Sequence, residues 1–194
     1  LNWYHMLNTG IKLPVSTGSD WFVCSANRVY SQTNGDFEYE SWLEGVRSGR
    51  TFITNGPALF LSVSGHEPGE TIEVERGARL NVHANWDSHY AIDHVEIVVN
   101  GVVSASREFQ GGATNGHLEA ELTADADGWI AARLGSGSRD SFNQSLWAHT
   151  SPVYIAGTGV KSTASAQSAI YFVDRIDEGI KWVKTKGRFY SDAQ

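Results

Sequence analysis

The sequence predicts a mainly-β fold: an Ig-like antiparallel β-sandwich, with an N-terminal α/β segment before it and a C-terminal helix after it. Apolar and polar residues alternate through much of residues 51–157, as in strands with one buried face. These runs recur at a spacing of roughly 8–12 residues, which is typical of a sandwich. From about residue 163, apolar residues instead recur every three or four positions, which indicates a helix with one apolar face.

Composition narrows the classes of partner. The 194 residues suit one large domain, or one domain plus a piece of another. The net charge of −7 is not offset by a basic cluster, so we expect neither nucleic acid nor an anionic membrane as a partner. The single cysteine, Cys24, excludes an internal disulfide and does not indicate a compartment.

The N-terminal segment is predicted to be half of an α/β unit. Leu1 to Asn8 fits a short helix, and Ile11 to Ser16 fits a buried strand. Asp20 follows this strand after a turn at Gly18, where α/β enzymes place catalytic and metal-binding groups. The alternative is that Asp20 caps a turn or a short helix. The rest of a sheet is missing from this segment, so we expect the chain to be the C-terminal part of a longer protein.

A second helix is predicted from Phe37 to Ser48. Asp36 is a candidate N-cap, and Gly49 stands where a helix often ends in a left-handed residue. One face of this helix would carry Tyr39, Leu43 and Val46.

The sandwich strands are predicted from the alternating runs. Asn100-Gly101 lies between two of them and is a strong hairpin signal, because both turn residues need positive φ. Residues 109–116 and 135–144 are polar and rich in Gly and Ser, so we interpret them as loops. The predicted core consists of Leu80, Val82, Trp86, Val95, Ile97, Leu122, Trp129 and Val153.

The last helix is predicted from about Ser165 to Lys186, with Ser165 or Thr163 as its cap and Gly187 at its end. Its apolar stripe is expected to pack against the sandwich or the N-terminal segment. The stripe comprises Ile170, Val173, Ile176, Ile180 and Val183.

The histidines do not form a metal-binding motif. None of the seven is spaced as His-x-His or His-x-x-x-His, and Cys-x-x-Cys is absent, so a self-contained metal site is not expected. His83, His89 and His94 fall on predicted neighbouring strands and their connecting loop. We interpret them as surface residues, with metal bridging across the hairpin as the alternative. The Trp and Tyr residues are expected to be mainly core, with a sugar-stacking platform as their alternative.

Five short segments, taken together, resemble a known family. They are Trp3 to Gly10, Leu13 to Asp20, Asn27 to Tyr30, Gly49 to Pro57 and Ala148 to Tyr154. In this order they are similar to the C-terminal part of the CehA/McbA-type metallohydrolases, members of the PHP (polymerase and histidinol phosphatase) superfamily. The resemblance runs from Trp3 to about Tyr190.

The resemblance implies a divided metal site. In that superfamily a distorted β/α barrel binds two or three divalent metals, here zinc, manganese or iron, through His, Asp and Glu. It implies that Asp20 is a metal ligand. The family commonly has Asp-x-His at this point, whereas Trp21 and Phe22 follow Asp20 here, and the early His-x-His motifs are also missing.

The resemblance also implies a domain organisation. Residues 1–36 would be the tail of the barrel, with its helix, last strand and metal-site loop. Residues 37–50 would be a linker helix and 51–157 the sandwich. A helix over residues 163–190 would pack on the rest.

Two classes of function follow as expectations. The first is the C-terminal part of a metal-dependent hydrolase of esters, amides or phosphoesters, inactive alone and partnered by the upstream barrel, or self-associating through residues 1–16. Asn55 and His149 would reach the mouth of its site, with a structural turn and a strand-end hydrogen bond as their alternative. The second is a non-catalytic Ig-like module that binds a carbohydrate or a protein. Solvent-facing aromatic residues along one sheet favour the second class, and a cleft beside Asp20 with further carboxylates or histidines favours the first.

Overall fold

The computed structural model describes residues 2–18, 25–33 and 35–188. The helices are α1 (Asn2–Asn8), α2 (Tyr39–Ser48) and α3 (Thr163–Lys186). The strands are β1 (Arg28–Ser31), β2 (Thr51–Thr54), β3 (Ala58–Val63), β4 (Thr71–Glu73), β5 (Arg79–Val99), β6 (Val102–Thr123), β7 (Gly128–Arg139), β8 (Ser145–Thr150) and β9 (Val153–Ala156). The mainly-β, sandwich-like class with a C-terminal helix is therefore confirmed.

The strand β5 organises the sheet because it changes partner along its length. Strand order along the main path is β1-β2-β8-β7-β5-β3, while β6 pairs with β5, and β9 pairs with β4 and β7. The first half of β5 pairs with β3 and the second half with β7, and a register shift against β6 lies between Asp87 and Ile92. A break of this kind bends a strand, so one hydrogen-bonded sheet can cover both sides of a core. Among the strands that the structure describes, β4 and β9 pair in parallel and the other pairs are antiparallel.

The predicted core is confirmed at most positions. Side chains of β3, β5, β7 and β9 form one large buried cluster. Leu122 of β6 is only partly buried against that cluster. The buried residues from the prediction are Leu80, Val82, Trp86, Val95, Ile97, Trp129 and Val153.

The Asn100-Gly101 turn is confirmed. Of the two predicted loops, residues 109–116 are wrong, and residues 135–144 are correct only for 140–144, which join β7 to β8. Asn100 and Gly101 have φ of 51° and 91° and join β5 to β6. Residues 109–116 belong to β6, and Ala113, Asn115 and Gly116 among them pair with β5. Residues 135–139 likewise belong to β7. Local composition did not predict these strands, because it does not show the partner strand with which Gly- and Ser-rich residues pair.

The predicted strand over residues 11–16 is wrong. Residues 11–18 have no regular secondary structure. Their backbone bonds to side chains instead of a neighbouring strand: the Val15 N–H donates to Ser151 Oγ at 2.9 Å, and Thr51 Oγ1 donates to the Val15 carbonyl at 3.3 Å. Pro14, which has no N–H, could not contribute to a full ladder.

The apolar residues of this segment are partly used within the chain. Leu7 and Val15 are buried, while Ile11 and Leu13 are exposed. Self-association through residues 1–16 stays a prediction. Within residues 2–16 the exposed large apolar side chains are Met6, Ile11 and Leu13.

Helix α2 is present but begins later than expected. Glu38, not Asp36, is the N-cap, and its side chain makes no capping hydrogen bond. Tyr39 is exposed, so the predicted apolar face is only partly used. Gly49 is the left-handed C-cap, as predicted, with φ of 81°.

The prediction gives the position of helix α3 correctly but its packing wrongly. Its N-cap is Ser162, not Ser165 or Thr163 as predicted; the Ser162 side chain accepts from the Ala164 N–H. Gly187 follows the last residue of the helix, as predicted. Its predicted core stripe is exposed; Ile176, for example, is 61% exposed. The sheet closes its core without α3, and among the described residues the helix packs mainly against α1. No helix in residues 2–18, 25–33 or 35–188 is both long and apolar enough to cross a membrane.

Candidate functional site

A cavity lies over the β1, β2 and β3 strands. It encloses about 630 Å³, within the range of small-molecule sites. Tyr30 of β1 lies opposite Phe52 of β2, and their rings stack at 5.0 Å with an interplanar angle of 10°. Phe60 of β3 meets Phe52 edge-on at 5.6 Å. Tyr30 and Phe60 are 45% and 52% exposed, so the cavity wall is a run of solvent-facing aromatic rings.

Polar groups stand around this aromatic wall. Gln32 Nε2 donates to Glu67 Oε1 at 2.9 Å, and Asn85 also lines the cavity. Arg50 Nε is buried and has no hydrogen-bond partner among the described residues. The Arg50 backbone is held by bonds to Gln32 and to the end of α2. Flat apolar rings beside amide, carboxylate and guanidinium groups can bind a ligand that has one apolar face and several hydroxyls.

A second cluster lies where α1 docks on the sheet. Tyr4 Oη is 2.5 Å from His149 Nε2, and His149 Nδ1 is 2.8 Å from the Thr150 carbonyl. A carbonyl only accepts, so Nδ1 carries the proton and Nε2 accepts from the tyrosine hydroxyl. The ring of Trp129 lies 4.9 Å from that of Tyr4, and its Nε1 donates to Asn8 Oδ1 at 2.7 Å.

Burial keeps this cluster largely neutral. His149 is 8% exposed, and burial lowers its pKa to about 4, with the charge of Arg133 acting in the same direction. Burial raises the pKa of Tyr4, although the nearby Arg133 opposes that shift. Arg133 Nε pairs with Glu96 Oε2 at 2.5 Å. Both ring nitrogens of His149 are therefore used within the chain, and His149 fixes α1 on β8.

Asn55 is also used internally. It is buried, and its Nδ2 donates to Asp140 Oδ2 and to the Ser145 carbonyl, both at 2.9 Å. Its Oδ1 accepts from the Trp147 N–H at 2.8 Å. These three bonds hold the loop between β7 and β8 against the end of β2.

The other predicted site residues do not assemble. Asp20 lies outside the described residues. His83, His89 and His94 all lie on β5, not partly on a loop, and His83 faces Glu119 at 3.3 Å. Across residues 2–18, 25–33 and 35–188, no group of three or more His, Cys, Asp or Glu side chains is placed to hold a metal ion.

Sequence reasoning missed Tyr4, Arg133, Glu96 and Arg50. The first three come from α1, β7 and β5, and only the folded sheet brings them together. A signal for the aromatic wall was present, because Tyr30, Phe52 and Phe60 each stand in a short run of strand-forming residues.

The segments that carry the family resemblance contact one another. Trp3 Nε1 donates to the Leu13 carbonyl at 3.0 Å. Val15 bonds to both Thr51 and Ser151, whose hydroxyls are 2.7 Å apart.

The remaining segments continue the same region. Residues 28–31 pair with 51–54, and β2 pairs in turn with β8, which carries His149. The five segments thus form one hydrogen-bonded region along β1, β2 and β8.

Comparison with known proteins adds no assignment. No family model matches the chain, and a search of curated proteins finds no significant match.

Proposed function

We propose that this chain is the C-terminal part of a PHP-type metal-dependent hydrolase, inactive alone, whose upstream barrel supplies most of the metal ligands. The observation that supports this is the contact among the five segments. All five segments resemble the same family and also contact one another in the fold. One structural unit shared with that family explains this better than five unrelated similarities. The sandwich would then hold the chain leading to Asp20: the described segment reaches Gly18, two residues before it, and is anchored by Ser151 and Thr51.

The donor set of the described residues does not by itself fit a metal centre. Hydrolytic metal sites use three or more protein ligands, and the described residues bring no such group together. Bound divalent metal would supply an activated water and polarise the scissile group. This chain would contribute Asp20 as one ligand, while Tyr4 and His149 position the N-terminal helix.

Metal content tests this proposal. The chain should be produced together with its upstream portion, and zinc, manganese and iron measured by mass spectrometry alongside ester, amide and phosphoester hydrolysis. Asp20→Asn should lower metal occupancy and activity, because the amide keeps the shape of the side chain but loses its charge. Asp125→Asn, an exposed carboxylate after β6, is the matched control. Full metal content and activity in Asp20→Asn would disprove the ligand role. Tight stoichiometric metal in the isolated chain would disprove the divided site.

The aromatic cavity supports a second candidate function, carbohydrate binding. Tyr30, Phe52 and Phe60 form the solvent-facing aromatic run expected of such a module. Aromatic rings bind the apolar C–H faces of sugars, while neighbouring amide and carboxylate groups bind the hydroxyls. The cavity volume of about 630 Å³ is large enough for a short saccharide.

Calorimetric titration of the isolated chain with gluco-, manno- and galacto-oligosaccharides tests this candidate. Phe60→Ala should weaken binding at least about tenfold, since it removes one ring of the wall. Tyr90→Ala removes an equally exposed aromatic ring that does not line the cavity, and it should leave affinity unchanged. Absence of saccharide binding, or equal losses in the two variants, would rule the candidate out.

A further inference from the structure

Helix α3 projects from the body of the protein. Its first turns are held by α1: the His5 ring stacks on Tyr171 at 4.0 Å, and Asn8 donates to the Ser168 hydroxyl at 3.2 Å. Tyr171 also donates to Asn2 at 2.6 Å. Every residue from Val173 to Lys186 is exposed. An isolated helical segment of this length is marginal in water, because helices gain most of their stability from packing.

The exposed surface of α3 carries a regular apolar seam. Six apolar residues are separated by three, four, three, four and three positions, which is the a/d spacing of a coiled coil. All six are exposed. We call them the α3 seam: Ala166, Ala169, Val173, Ile176, Ile180 and Val183. The side chains that meet α1, Ser168 and Tyr171, lie on a different face, so α1 leaves the seam uncovered.

Charge is segregated along the same stretch. The first half of the exposed helix carries Asp174, Asp177 and Glu178 with Arg175, and the second half carries Lys181, Lys184 and Lys186. If two such helices pair in antiparallel orientation, each acidic half turns toward the basic half of the other, and the helix dipoles also oppose. Parallel pairing would place like charges together.

We propose that α3 is a dimerisation helix that pairs antiparallel with α3 of a second copy of this chain. A register centred on the exposed half of the helix sets Val173 against Val183 of the second copy and Ile176 against its Ile180. Each body is attached at the beginning of α3, so antiparallel pairing places the two bodies at opposite ends of the helix pair. The interface is isologous, as expected for a two-fold dimer.

Analytical ultracentrifugation across a concentration series tests the proposal. The chain should reach twice its monomer mass of 21.2 kDa as concentration rises. Ile176→Asp should raise the dissociation constant at least about 100-fold, because it buries a charge in the seam. Trp182→Asp is the matched control: Trp182 is 63% exposed but lies off the seam, so dimerisation should persist. A chain that is monomeric at high concentration, or dimers that survive Ile176→Asp, would disprove the pairing.

Two further measurements examine charge and orientation. Changing Lys181, Lys184 and Lys186 to Glu, or Asp174, Asp177 and Glu178 to Lys, should make each variant monomeric, while an equimolar mixture of the two should form heterodimers. Spin labels at Lys186→Cys in a Cys24→Ser background should lie more than about 20 Å apart in the proposed register. A label separation near 10 Å would indicate parallel helices and disprove the orientation.

A membrane is the competing occupant of the seam. Vesicles that contain about 30% anionic phospholipid are the probe for this alternative. The dimer would be disproved if the chain stays monomeric in solution and binds these vesicles, and if Trp182→Asp weakens vesicle binding as much as Ile176→Asp does.

Discussion

The hydroxyl of Tyr4 donates to Nε2 of His149 across 2.5 Å, joining α1 to strand β8 over 145 positions of sequence. Both side chains are buried and pack against the rings of Trp3 and Trp129. Water therefore does not reach the tyrosine hydroxyl to accept this hydrogen bond in place of His149. This bond therefore couples the attachment of the N-terminal segment to the protonation state of one side chain.

We expect Tyr4→Phe to lower the free energy of unfolding by about 1–3 kcal/mol, because it leaves a buried ring nitrogen without a donor. Urea denaturation measures the change. Tyr171→Phe removes a tyrosine hydroxyl that also bonds to α1, but at an exposed site, and should cost less than about 1 kcal/mol. Equal losses of unfolding free energy in the two variants would mean that the buried Tyr4–His149 bond stabilises the fold no more than the exposed Tyr171 bond does.

Stability should fall as pH drops below about 6.5. Burial lowers the folded-state pKa of His149 from 6.5 to about 4, so between these values the unfolded chain binds a proton that the folded chain does not. This contribution to stability is complete above the unfolded pKa and decreases as pH falls, by about 3 kcal/mol at pH 4. Urea midpoints measured from pH 7.5 to 4.5 test it. His149→Gln, which does not titrate, should show a flatter profile in this window, and an unchanged profile would contradict the assignment.

Ile176→Ala should change the free energy of unfolding by less than about 0.5 kcal/mol at concentrations where the chain is monomeric, because the side chain is exposed. Ile97→Ala removes the same atoms from a fully buried position in β5 and should cost about 2–5 kcal/mol. Thermal denaturation of both variants at low concentration makes the comparison. A large loss in Ile176→Ala under these conditions would show that the body covers α3.

Alanine substitutions at two glycines distinguish the cost of an unfavourable backbone conformation from the cost of a steric clash at Cβ. Gly69 and Gly77 have φ of 92° and 87°, but a Cβ at Gly69 would lie far too close to the Ser48 carbonyl oxygen, whereas nothing lies within 4 Å at Gly77. Gly77→Ala should destabilise by about 1 kcal/mol. Gly69→Ala should cost at least about 2 kcal/mol more, since backbone must move. Chemical denaturation of both variants checks this, and similar losses would show that the turn before β4 adjusts freely.

Local patterns in the sequence were enough to determine the class of fold. Alternation at Leu80, Val82 and Trp86 identifies a strand with one buried face, and the Asn100-Gly101 turn requires positive φ that few residue pairs supply. Gly49 likewise marks the end of α2. Each of these features is encoded within a few neighbouring residues, so no distant partner is needed to recognise it.

Tertiary structure alone decided which apolar faces are covered and which polar groups meet. The seam of α3 has the periodicity of a packed helix, yet the β-sheet fills its core without it, and Ile176 is left exposed. Residues 11–16 have the composition of a strand, but the backbone of Val15 bonds to the Thr51 and Ser151 side chains and not to a neighbouring strand. Tyr4, Arg133 and His149 meet only because α1 docks where β7 and β8 run side by side. Periodicity shows that a face is apolar, whereas the surface that covers it depends on long-range pairing, which no local pattern contains.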